Sequence, residues 1–128
     1  MSPTPYSSPV WAHFDNPRNI GKWDNPGADV ATGEARTPAG PAVLRLHCRI
    51  EGDEIREARF QAYGSVAVIA AGSWLTEWLQ GRGLAQARAL DPETVAERLE
   101  LAAVQRYCAI MAVDALAAAL ARHDENRD

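Results

Sequence analysis

Residues 55–81 read IREARFQAYGSVAVIAAGSWLTEWLQG, and the periodicity changes partway along them. Up to Tyr63 the segment reads as a strand; Gly64-Ser65 ends it; from Val66 to Gln80 the apolar residues crowd at helical spacing. Ser65 stands where a helix N-cap is expected, and Gly81 where a left-handed C-terminal residue closes the helix. Because VAVIAAGSWLTEWL is apolar on most sides, this helix should be heavily buried.

Working outward toward the N-terminus, Leu44, Leu46, Cys48 and Ile50 alternate with Arg45, His47 and Arg49, the period-two pattern of a half-buried strand. Gly52-Asp53 turns the chain, so the two strands form an antiparallel pair. Residues 1–41 are punctuated by Asn16-Pro17, Asn25-Pro26, Pro26-Gly27 and Gly40-Pro41. Within them only a short helix over residues 10–14 is predicted, with Ser8-Pro9 as its start signal. Toward the C-terminus, Asp91-Pro92-Glu93 opens a helix that runs to about Leu99. A last helix is predicted over residues 103–122, followed by the charged tail HDENRD. Strands first and helices afterwards make an α+β fold: a small antiparallel sheet packed against C-terminal helices. The length of 128 residues suits one domain over 1–128, with residues 1–8 and 123–128 expected to be flexible.

Composition narrows the function classes. The chain is 47% hydrophobic and 23% charged, with a net charge of -4, so nothing favours nucleic acid or an anionic membrane as partner. Glu77 interrupts the longest apolar candidate for a membrane span, and the N-terminus has no signal-peptide pattern, which suggests the cytoplasm. The two cysteines, Cys48 and Cys108, match no zinc-finger spacing and, in a reducing compartment, should not be bridged.

Residue by residue, most candidate chemistry gives way to packing. Parity turns Cys48 inward as a small hydrophobe and turns His47 outward as a solvated residue. Tyr63-Gly64-Ser65-Val66-Ala67 lacks both glycines of a nucleophile elbow, leaving Ser65 as a cap. His13 and Asp15 have no partner at metal-binding spacing. Cys108 is the exception. It falls in the first turns of the last helix, where backbone N–H groups and Arg106 can lower a thiol pKa.

Three segments carry a resemblance over nearly the whole chain. VWAHFDNPRNIGKWDNPGADVATGEA holds His13, Asn16, Pro17, Arg18, Asn19 and Gly21 in a His-x-x-Asn-Pro-Arg-Asn-x-Gly pattern. ARFQAYGSVAVIAAGSWLTEWLQG supplies strand, turn and helix, and LELAAVQRYCAIMAVDALAAAL supplies the closing helix. Together they resemble the IscU / NifU N-terminal scaffold family. That resemblance implies a non-enzymatic scaffold for iron–sulfur cluster assembly, with three cysteines, an aspartate and a histidine as the ligand pocket for a cluster or zinc. Carried over residue by residue, the ligand positions are occupied by Gly40 (first cysteine), Ala42 (aspartate), Ser65 (second cysteine) and Tyr107 (histidine). Only Cys108, at the third cysteine position, keeps a ligand side chain. The family's chaperone-binding Leu-Pro-Pro-Val-Lys is here Leu101-Ala102-Ala103-Val104-Gln105.

Three readings follow. In the first, a divergent scaffold accepts persulfide sulfur on Cys108, or bridges a cluster between subunits with added thiols such as glutathione. In the second, a metal-free adaptor keeps the fold and docks a protein. In the third, a thiol enzyme uses Cys108 with His13 brought up by the fold. The first is preferred, with no cofactor held stably by the monomer and a cysteine desulfurase or related assembly protein as partner; a homo-oligomer stays open.

Overall fold

The computed structural model describes residues 5–38 and 40–126, so the sequence readings on residues 1–4, on Ala39 and on 127–128 lie outside the described residues. The element order is α1 (Ser8–Asp15), β1 (Val30–Arg36), β2 (Val43–Glu51), β3 (Glu54–Tyr63), α2 (Val66–Leu79), α3 (Leu84–Arg88), α4 (Pro92–Leu99), a 3₁₀ turn (Ala103–Gln105) and α5 (Arg106–Glu125). This is the α+β class predicted from sequence.

The sheet is antiparallel in the order β1-β2-β3. Glu51 faces Glu54 across the two-residue turn Gly52-Asp53, and Gly52 adopts a left-handed φ of 60° there. Parity then sends Leu44, Leu46, Cys48 and Ile50 to the same face, where α2 and α5 cover them. Phe60, Leu44 and Leu46 are almost fully buried; each contributes about 1.5–3 kcal/mol through removal from water. Ten residues of α2 are buried, as its all-round apolarity requires, and Gly81 follows with φ 82°. Asp91 caps α4 by accepting from the Thr94 N–H at 2.8 Å.

Several local expectations are corrected. β1 was not visible in the composition of the first 41 residues. Its inward positions are Ala31, Gly33 and Ala35, too small to signal a hydrophobic strand. They are small because α5 lies against them: a Cβ on Gly33 would stand 2.2 Å from the Ala115 carbonyl oxygen and 2.3 Å from the Ala119 nitrogen. The short helix α3 was also unpredicted, since five residues carry too little periodicity. The cap of α1 is Ser7, whose Oγ accepts from Val10 N–H, rather than Ser8. The predicted start of the last helix is a 3₁₀ turn that becomes α-helical at Arg106, and the helix continues to Glu125.

His47 lies on the outer face as parity requires, yet it is buried and not solvated. It sits mid-sheet opposite Thr32 and Arg59. Its Nδ1 takes the Thr32 hydroxyl at 2.8 Å while Nε2–H donates to Gln61 Oε1 at 3.0 Å. Residues 103–125 prove long and apolar enough to cross a membrane by length and composition, contrary to the sequence reading. Half of that window is buried in the protein, against β1, β2, α2 and α4, as a core helix would be.

The N-terminal motif acts as a strap. Arg18 N–H and the His13 ring both meet Ser73 Oγ, at 2.9 and 2.8 Å. Arg18 also donates to His13 Nδ1 at 3.2 Å, so that nitrogen is an acceptor and the ring is neutral. Asn19, at φ 64°, donates to Thr76, and Ile20 bridges the free edge of β3 at Phe60. The motif residues therefore dock the N-terminal arm onto α2 and β3.

Candidate functional site

Three elements meet at one end of the sheet. The loop from β1 to β2 closes through a Thr37 N–H to Ala42 O bond of 3.1 Å and carries Gly40 and Ala42. The end of β3 turns at Gly64, whose φ of 144° suits only glycine, and a Cβ there would stand 3.0 Å from that of Ala42. Ser65 follows at once, and the start of α5 brings Tyr107 across to it, with the two hydroxyl oxygens 3.2 Å apart. Cys108, next in the chain, is fully buried behind them. All five positions singled out from sequence, Gly40, Ala42, Ser65, Tyr107 and Cys108, thus converge, although they lie up to 68 positions apart in the chain.

Between them is an open hollow of about 790 Å³. Its walls include Pro38, Pro41, Ala42, Ala62 and Ile69, and among the described residues no charged side chain lines it. Tyr63, two-thirds exposed, and Tyr107 stand at its edge. Val104 and Ile110, three residues to either side of Tyr107, are exposed as well.

The electrostatics disfavour anions. Burial pushes the Cys108 thiol above its ordinary pKa, and hydrogen bonds from Tyr107, Ser65 and its own backbone only partly offset this. The position near the helix start predicts a lowered thiol pKa; the structure corrects that, because the desolvation outweighs the first-turn N–H groups. Tyr107 accepts help from the Ser65 hydrogen bond, which lowers its pKa, but burial and the adjoining Cys108 raise it further. Cys48, inside the sheet, is pushed up to about 12 by burial.

Ser65 occupies the N-cap position of α2 without a side-chain cap bond, since its hydroxyl faces Tyr107 instead. His13 is tied to Ser73 and Arg18 and is not a free base for a thiol. Among the described residues, no three His, Cys, Asp or Glu side chains come together in a way that could hold a metal ion. Sequence reasoning overlooked Thr37, Ala62 and Ile69, because wall residues of ordinary type carry no motif.

The arrangement of sheet, helices and this corner defines a class, and comparison with known proteins agrees. The model of the NifU-like N-terminal domain matches residues 5–128. The iron–sulfur cluster assembly scaffold protein IscU of Escherichia coli K12 is 40% identical over 124 residues, covering 96% of this chain and 97% of that protein. IscU of Azotobacter vinelandii is 40% identical over 116 residues, 90% of this chain and 91% of that one. Among solved structures, the N-terminal part of a NifU-like protein from Brucella abortus superposes with a TM-score of 0.73 at 13% identity, over 93% and 94% of the two chains. A scaffold protein of the SUF system from Fervidobacterium islandicum AW-1 gives 0.72 at 15% identity, over 91% and 96%. At those identities the two structures speak to the fold alone. The chain belongs to the NifU-like N-terminal domain family and is IscU-like over nearly its full length.

Proposed function

We propose that this protein serves iron–sulfur cluster assembly as a scaffold-type member whose ligand corner is vacated, so that one chain does not hold a cluster by itself. One observation carries the reading: the five positions that the resemblance assigns to the family's ligands converge, and only one of them, the buried Cys108, bears a side chain suited to iron. A [2Fe–2S] cluster asks for about four ligands, mostly thiolates. Here stand a glycine, an alanine, two hydroxyls and a thiol whose surroundings raise its pKa. The residues do not fit a cluster or a zinc ion bound by this chain alone.

Cys108 is then a sealed thiol. Accepting sulfur there, or sharing a cluster between subunits, requires the Ser65–Tyr107 pair to part first. Similarity to assembly scaffolds along nearly the whole chain supports a place in that pathway ahead of an unrelated adaptor, and a non-enzymatic role ahead of a thiol enzyme. The exposed Tyr63, Val104, Tyr107 and Ile110 suit docking of a protein partner, a cysteine desulfurase or another assembly protein. A cytoplasmic setting fits this role.

The test restores what is missing. A variant carrying Gly40→Cys, Ala42→Asp, Ser65→Cys and Tyr107→His, reconstituted anaerobically with iron and sulfide, should gain the visible absorption of a cluster. If this folded variant stays colourless, the corner is not the family's ligand site and the reading fails.

A further inference from the structure

The corner that lost its ligands did not fill in. It kept a hollow of about 790 Å³, within the size range of small-molecule sites, and its walls are proline, alanine and isoleucine with tyrosine at the edge. Four hydroxyl-bearing side chains line it: Ser65 and Tyr107, which bond each other at 3.2 Å, Thr37, and the exposed Tyr63. Ser65 and Tyr107 bond each other and Cys108 with their hydrogens, so toward the hollow they offer oxygen lone pairs. Thr37 Oγ1 is buried and has no hydrogen-bond partner among the described residues. A buried hydroxyl without a partner is costly, so a ligand that supplies the missing bond recovers part of that cost.

We propose that the vacated corner is a binding pocket for a small, neutral, largely apolar molecule carrying one hydroxyl or carbonyl group. The walls supply the apolar contact and the hydroxyls receive the polar head. A charged ligand is disfavoured, since among the described residues no lining side chain could pair with its charge once water is expelled. The inference rests on the reading that the ligand cage is empty of metal-binding side chains.

The probes are 2-naphthol, neutral at pH 7, and its charged counterpart 2-naphthoate, titrated into the ¹⁵N-labelled full chain. 2-Naphthol should produce saturable amide shifts confined to residues 37, 40, 42, 62–65 and 107, and 2-naphthoate should bind at least about tenfold more weakly. Ser65→Ala should weaken 2-naphthol about three- to tenfold by removing one hydroxyl. Ala62→Phe, which fills the hollow, should abolish the shifts while distant amides keep their positions. Scattered or non-saturating shifts, equal affinity for the anion, or binding that survives Ala62→Phe would overturn the proposal. So would a pocket that ignores 2-naphthol yet takes a capped tryptophan amide, which would make it the seat of a partner's side chain. Iron analysis keeps the two readings apart: an iron-free protein with no saturable binding loses the pocket and keeps the assembly role, whereas a native chain that takes up a cluster loses both.

Discussion

At the scale of single residues, burial decides the chemistry. Cys108 and Cys48 are both fully buried, and both thiols are pushed above their ordinary range. In the folded protein at pH 7.5, both should react with iodoacetamide at least about a hundredfold more slowly than in the urea-unfolded chain. Tyr107→Ala, which removes the ring in front of Cys108, should speed that cysteine and leave Cys48 slow; peptide mass mapping reads the difference. A fast burst at Cys108 in the native protein would contradict the sealed-thiol account. The histidines make a second prediction. Burial lowers His13, with Arg18 adding to it, and burial lowers His47 against the opposing Gln61 bond. Both folded values lie below the unfolded 6.5, so the unfolded chain takes up protons first as pH falls. Stability is therefore full above pH 6.5 and is lost as pH drops through and below it. The thermal midpoint should fall between pH 7.5 and 5.5, and a His13→Asn, His47→Gln double variant should show a shallower slope. An unchanged slope would mean neither ring is held neutral by the fold.

At the scale of elements, the clearest prediction concerns the β1–α5 contact. A Cβ at Gly33 meets backbone atoms of α5, which cannot rotate away as a side chain would. Gly33→Val should cost at least the upper part of the 1–3 kcal/mol range of overpacking, lowering the urea midpoint with little change in slope. Loss of the α4 cap in Asp91→Ala should cost only about 1 kcal/mol. If Gly33→Val proved as mild as Asp91→Ala, the close approach of strand and helix would be wrong. This same contact explains which elements were legible in the sequence. β2, β3, α2 and α4 announce themselves through periodicity, caps and turn residues that act locally. β1 does not, because its inward Ala31, Gly33 and Ala35 are small to suit α5, some eighty positions away. His47 misled for a related reason: parity gave its face, while its burial depends on Thr32 and Gln61 from neighbouring strands.

At the scale of the whole molecule, the proposed ligand corner was legible only through family resemblance. No spacing rule joins Gly40, Ser65 and Tyr107; the loop after β1, the turn after β3 and the start of α5 do so in three dimensions. What resemblance could not supply was the sign of the electrostatics, since desolvation of Cys108 depends on the packing around it. Both titratable groups at the corner favour their protonated forms. A cluster site needs the reverse, because thiolates must stand ready for iron. The decisive measurement is iron and sulfide content of the native chain after anaerobic reconstitution and desalting, with visible absorption recorded alongside. The account predicts a colourless protein with negligible iron per chain, whereas stoichiometric iron and sulfide retained by a monomer would contradict it.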